Sequence, residues 1–129
     1  MAMRELRRSL VDQQAFVDQV DKVQRQSGYR LIAALADDHG PALAVAGFRA
    51  GENLAWGRHL YVDDLSTLPA ARQHGHARRL LDWLREDAQR LGCTQIHLDS
   101  GVGPERLSAH RLYFNAGYRI SSHHFAVSL

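Results

Sequence analysis

A chain of 129 residues has room for one hydrophobic core and not for two, and its 45% hydrophobic share is that of an ordinary globular protein. Formal net charge is only +2; acidic residues are interleaved throughout, and Arg7/Arg8 and Arg78/Arg79 are too short to form a nucleic-acid stripe. One cysteine (Cys93) excludes an internal disulfide framework, and no run reaches signal-peptide or membrane-span length, so a cytoplasmic protein off the membrane is expected.

Taken in chain order, an Arg-rich helical start precedes Asp12, which can cap a helix with Phe16, Val20 and Val23 on one face, ended near Ser27-Gly28. YRLIAALA (29–36) and PALAVAGFR (41–49) read as strands joined by a DDHG hairpin loop, and their apolar character predicts burial on both faces. AGEN (50–53) reads as a turn before a third extended stretch, LAWGRHLYVDDLST. In that stretch Leu60 and Val62 alternate as a half-buried strand should, but the next apolar residue is Leu65, with Asp64 on the phase meant for the core. A spacing of two followed by three is what an inserted residue produces, a β-bulge at Asp63-Asp64; a strand that stops at Val62 gives the same pattern.

Helix 75–91 is the strongest element, with Ala77, Leu80, Leu81, Leu84, Ala88 and Leu91 in one stripe. Arg78/Asp82 and Glu86/Arg90 form i,i+4 pairs on its wet side, and Gly92 sits at its end. TQIHLDS (94–100) is a strand, 105–116 a helix with Ala109, Leu112, Tyr113 and Ala116 on one face, and YRISSHHFAVSL a closing extended segment. The order predicts an α/β (α+β) mixed sheet flanked by helices, in one domain over 1–129. The two strands around helix 75–91 should be parallel, with ligands at their carboxyl ends.

The stretch RQHGHARRLL (72–81) opens the best helix without a Ser, Thr, Asp or Asn cap. Its first amides are bare donors at the positive end of the helix dipole. Gly75 keeps bulk away and Ala77 keeps the next turn small, which makes a pocket for phosphate or pyrophosphate. The nucleotide P-loop and the dinucleotide fingerprint are both absent. The eight histidines show no His-x-x-x-His or Cys/His spacing, so no metal is expected; His74 and His76 flank Gly75 as exposed residues.

TLPAARQHGHARRLL resembles the coenzyme-binding motif of the GNAT superfamily of N-acetyltransferases, Arg/Gln-x-x-Gly-x-Gly/Ala with an upstream Pro, here Arg72, Gly75, Ala77 and Pro69. AHRLYFNAGY resembles a second motif of that superfamily, filled by Ala109, Leu112, Tyr113, Gly117 and Tyr118, and the likeness covers about residues 15 to 129. LYVDDL and LDSG…AHRLYF together look like one bacterial branch. The resemblance implies acetyl-CoA as co-substrate, with no metal, and an amine acceptor. It implies that backbone groups of Leu65, Ser66 and Thr67 pair with the pantetheine arm. The pyrophosphate would lie on the amides of Gln73, His74, Gly75, His76, Ala77 and Arg78, beside Arg72. It also implies direct attack by the amine on the thioester, with Tyr113 as the acid for the leaving thiolate.

Asp64, beside the bulge, is the leading candidate for the base, with Asp63, Asp99 and His110 behind it and water as the alternative. Two departures from the superfamily stand out. Its Asn three residues before Ala109 is Arg106 here, and its first strand is missing. Either the chain starts short of that strand, or an exposed sheet edge is tolerated and a second subunit covers it, so a homodimer is an expectation. A non-catalytic acyl-CoA-binding or regulatory module of the same fold is the competing function.

Overall fold

The computed structural model describes every residue from Met1 to Leu129. Two compact units make up the chain, Met1–Leu98 and Asp99–Leu129. The first contains α1 (Ala2–Leu6), α2 (Gln13–Gln19, running on in a wider turn to Gln24), β1 (Arg30–Leu35), β2 (Ala42–Asn53), β3 (Gly57–Thr67), α3 (His76–Arg90) and β4 (Gln95–Leu98). Its sheet has the order β1-β2-β3-β4; the first three strands are antiparallel neighbours and β4 runs parallel to β3. The expected mixed sheet flanked by helices is therefore present, as is the expected parallel pair around α3.

Local chemistry accounts for the helix ends. The Asp12 carboxylate accepts from the amides of Gln14 at 3.3 Å and Ala15 at 3.0 Å. Gly28 turns the chain out with φ +80°, and Gly92 does the same after α3 with φ +74°. On α3 the residues Leu80, Leu81, Leu84 and Ala88 are buried, and Arg78 bonds Asp82 at 2.9 Å as its spacing predicts.

The Glu86/Arg90 pair is replaced by a different one. Arg90 turns to Asp87, a buried carboxylate that also accepts from Arg30 Nη1 at 2.7 Å. Arg30, at the start of β1, lies over the ring of Phe48 at 5.0 Å and near that of Trp83 at 5.9 Å. Phe48 and Trp83 meet edge to face, so β1, β2 and α3 are joined by one ionic and aromatic cluster. Burial pushes the Asp87 carboxyl up, but the hydrogen bonds from Arg90 and Arg30 outweigh it and hold it below the usual carboxylate range.

Three further expectations are corrected. Burial on both faces holds for β2, where Ala44 to Phe48 are consecutively buried, but not for β1, where Leu31, Ala33 and Leu35 are exposed. On the face carrying Val45, α1 packs on β2 and β3 and leaves the edge strand β1 open. AGEN is strand rather than turn, because Gly51 lies flat opposite His59, whose ring stands 3.5 Å from where a Cβ would be. The chain instead reverses at Asn53–Gly57. There the Asn53 side chain accepts from the Trp56 amide at 2.7 Å and Gly57 has φ +63°. The Trp56 indole then stacks on His97 of β4 at 3.7 Å and meets His59 edge-on.

The third correction lies in the second unit. It holds α4 (Leu107–Asn115), which follows a 3-10 turn at Pro104–Arg106 and ends at Gly117 with φ +87°. Residues 118–129 form no strand, and Ile120, Phe125, Val127 and Leu129 are exposed. Alternation marks a strand only where a neighbouring edge pairs with it, and none does here.

Because the folded Asp87 pKa lies below its unfolded value of about 3.9, its contribution is complete above that pH and drains away as pH falls through the lower folded value. Asp87→Asn should cost about 1.5–3 kcal/mol at pH 7 and lower Tm by several degrees. The deficit should shrink in acid, as read from thermal melts between about pH 3 and 7; a deficit that does not change with pH refutes the assignment.

Candidate functional site

The site begins with one extra residue. Gly47 on β2 faces Asp64 on β3, while its neighbour Phe48 faces Val62, so Asp63 is the residue the ladder skips. The bulge read from the Leu60, Val62, Leu65 spacing is present where expected. On the other side β3 pairs with β4 only from His59 to Val62, where β4 ends at Leu98. Residues 63–67 continue as strand with no β4 partner. The Leu68 amide reaches the Leu43 carbonyl on β2 at 2.8 Å; alternation therefore turns the backbone groups of Ser66 toward β2 and those of Leu65 and Thr67 outward.

Five side chains hold the bulge. Asp64 accepts from Arg7 Nε at 2.7 Å and from the Tyr29 hydroxyl at 2.8 Å. Arg7 also reaches the Asp63 carbonyl at 3.1 Å, and the Asp63 carboxylate receives Arg49 through two bonds at 2.6 and 2.8 Å. Tyr29 is buried above Gly47, where any Cβ would overlap the phenol. Burial, then the bond to Asp64, raises the Tyr29 pKa far above the ordinary phenol range, so this hydroxyl stays a donor. Ser66 is buried and donates to the Ala2 carbonyl at 2.7 Å, which docks α1 beside the bulge.

After β3 a 3-10 turn at Pro69–Ala71 leads to Arg72, whose Nε lies 3.5 Å from the outward Thr67 carbonyl. Gln73 has φ +63° and Gly75 φ +80°, so the chain enters α3 through two left-handed residues. For Gln73 that conformation costs on the order of 1 kcal/mol, while Gly75 takes it freely. A Cβ on Gly75 would meet nothing within 4 Å, so the glycine serves the backbone turn and leaves open space. No side chain caps α3, so its first amides lack a side-chain partner at the positive end of the helix dipole, an arrangement suited to an anion. His74 Nδ1 is 2.7 Å from the Arg72 carbonyl, and the His74 and His76 rings stack at 6.3 Å outside the turn. Ala77 is half-buried and Arg78 exposed. This free strand edge and uncapped helix tip fit a long ligand with an amide-bearing arm and a phosphate end, such as a coenzyme.

In the second unit Tyr113 is buried on α4, its ring 6.1 Å from that of Tyr118. Burial raises its pKa; Arg106 opposes that shift through its charge and a hydrogen bond without cancelling it. Arg106 thus turns to the phenol. His110 lies 2.8 Å from the Gly101 carbonyl, and Asp99 is 3.5 Å from His124.

The model of the acetyltransferase (GNAT) family matches residues 2–118. The chain belongs to that family. An uncharacterized N-acetyltransferase of Bacillus subtilis (strain 168), YhdJ, is 29% identical over 124 residues, covering 95% of this chain and 84% of that protein. Among solved structures, a probable acetyltransferase superposes with a TM-score of 0.78 at 20% identity, over 98% of this chain and 83% of its own. A GNAT acetyltransferase of Staphylococcus aureus superposes with a TM-score of 0.73 at 18% identity, over 92% and 78%. Both structures share this GNAT chain's fold.

Arg7, Tyr29 and Gly47 escape a reading of the sequence, because only the docking of α1 and the register of the β1–β2–β3 strands bring them to Asp64. Gly47→Ala should cost about 1–3 kcal/mol. In a Tyr29→Ala background, where the phenol is gone, the same change should cost far less. Urea melts of the unsubstituted protein and the three variants test this; costs that simply add would break the link between the two residues.

Proposed function

We propose that this GNAT chain transfers an acetyl group from acetyl-CoA to a primary amine of a peptide or small molecule in the cytoplasm, by direct attack. The reading rests on one observation: β3 loses its β4 partner at the bulge just before the chain enters an uncapped helix through Gly75. In this proposal the outward backbone groups of Leu65 and Thr67 pair with the pantetheine arm, and Ser66 anchors their strand. The amides of Gln73 through Arg78 take the pyrophosphate, with Arg72 beside them. Helix dipole and unsatisfied donors both favour an anion there.

Tyr113 is proposed as the proton donor to the departing thiolate, and its raised pKa supports a phenol that keeps its proton until then. Asp64, the leading base candidate from sequence, already accepts two hydrogen bonds, one from a guanidinium. Those bonds support a positioning duty, holding the bulge in place, and leave the amine's proton to water.

Acetyl-CoA and CoA should raise Tm by several degrees at concentrations about 100-fold above Kd, and nucleotides lacking the pantetheine arm should raise it less. No shift with CoA refutes the coenzyme site. Binding without thiol release across an amine panel points instead to a non-catalytic acyl-CoA-binding module. Tyr113→Phe should lower kcat by about 10²- to 10⁴-fold with the CoA-induced Tm shift retained; unchanged turnover removes the acid role.

A further inference from the structure

A small cavity on the bulge face of the sheet is used by neither the coenzyme arm nor the proton donor. On β2 the residues Gly47, Arg49 and Gly51 alternate onto one face, and across the ladder they meet Asp64, Tyr61 and His59. One and two pairs beyond the bulge, Arg49, Gly51, His59 and Tyr61 line a cavity of about 180 Å³, with Ser27 closing one side. That is room for a small head group, since drug-sized ligands need about 300–1,000 Å³. Gly51 adds no side chain to this space, and the His59 ring reaches to 3.5 Å from where its Cβ would be.

The polar groups around it define what it can hold. His59 is buried, at 8% exposure, and its Nδ1 lies 2.9 Å from the Gly57 carbonyl. A carbonyl only accepts, so Nδ1 holds the hydrogen and Nε2 of the neutral ring is an acceptor. That Nε2 edge of the ring stands over Gly51. Arg49 gives its Nε and Nη2 to the Asp63 carboxylate, which leaves the N–H groups of Nη1. Ser27 and Tyr61 carry hydroxyls that can play either part. A carboxylate ligand would set its lone pairs against Nε2 and its charge near that of Asp63. A hydrocarbon would leave Nε2 and Nη1 unanswered. A carboxamide answers both, its oxygen accepting from Arg49 and its N–H donating to His59.

We propose that this cavity holds an amide group of the acceptor, so that the enzyme prefers amines carrying a neutral amide about six bonds from the nitrogen. This preference rests on the coenzyme reading proposed above: with the pantetheine arm on Leu65 and Thr67, thioester and amine meet beside Asp63. A strand advances about 3.4 Å per residue, so the Arg49–Tyr61 pair lies about 7 Å from that point. An extended chain of six bonds of about 1.5 Å zigzags across a similar distance. The amide can belong to a small molecule or to a peptide backbone, where the second amide from a free N-terminus falls at the same reach.

Trp56 meets the His59 ring edge-on at 5.1 Å and lies parallel to Tyr61 at 6.4 Å, so its indole N–H reports on the cavity. In two-dimensional NMR titrations with and without CoA, 6-aminohexanamide or triglycinamide should move that signal. The tighter of the two names a small molecule or a peptide as the source. Either should bind at least about tenfold more tightly than hexylamine or 6-aminohexanoate. Gly51→Leu should fill the cavity and weaken amide binding at least about tenfold, with circular dichroism and the CoA-induced Tm shift retained. His59→Phe keeps a ring and removes Nε2, and should erase the preference for amide over hexylamine; it decides if Gly51→Leu fails to fold. Equal binding of hexylamine, tighter binding of 6-aminohexanoate, or amide binding indifferent to Gly51→Leu overturns the proposal. A protein that answers CoA but neither amide keeps the coenzyme and loses this site. One that answers an amide but not CoA keeps the amide site and loses the coenzyme reading.

Discussion

One inserted residue organises this molecule. Asp63 has no counterpart on β2; past it β3 stays bonded to β2, while its pairing with β4 stops at Val62. A parallel strand pair that ran on would have filled the gap with its own hydrogen bonds. Ending the pair at Val62 leaves the outward backbone groups of Leu65 and the Thr67 amide to a ligand or solvent, while Arg72 reaches the Thr67 carbonyl. A bulge is held open only if something opposes its collapse into regular strand. Here the opposition is electrostatic and steric together: Arg7 and Arg49 grip the two adjacent carboxylates, and Tyr29 occupies the volume that Gly47 vacates. The clamp draws on the end of α1, the residue before β1, and on β2 and β3, so the local kink is set by segments distant in sequence.

The helix tip depends on a second constraint of the same kind. Natural helices usually satisfy their first amides with a side chain, and α3 declines to do so. The tip is bare and yet not frayed, because α3 is fastened further along, by its buried leucines and by Asp87 between Arg30 and Arg90. Stability is supplied by the body of the helix, which leaves its end available for chemistry.

Much of this was legible before any coordinates. The change in spacing at Leu60, Val62 and Leu65 narrowed that stretch to a bulge or a strand end, because side chains within a strand change phase only by adding or losing a residue. The uncapped start of α3 was equally visible, since a missing cap is a fact of composition. What escaped depended on partners distant in sequence. Gly51 looked like a turn residue but makes room for His59 across the ladder, and nothing in the helix pattern singled out Asp87, whose partner Arg30 comes from another strand. The Glu86/Arg90 pairing failed for the same reason, as the guanidinium found a buried carboxylate nearer. The C-terminal alternation promised a strand, but a strand is a relation between two segments and the second was lacking. The roles of Asp64 and Tyr113 came from motif likeness, and the hydrogen bonds around Asp64 could not be read from its neighbours in the chain.

The two tryptophans sit on opposite faces of the same sheet. Trp56, at the β2–β3 hairpin tip, lies flat against an imidazole, while Trp83, on α3, meets a phenyl edge beneath a guanidinium. Their optical surroundings therefore differ sharply, one ring facing a neighbour that can gain a proton and the other a neighbour that cannot. The molecule carries two native fluorophores, each reporting on one layer of its own architecture, with no label attached.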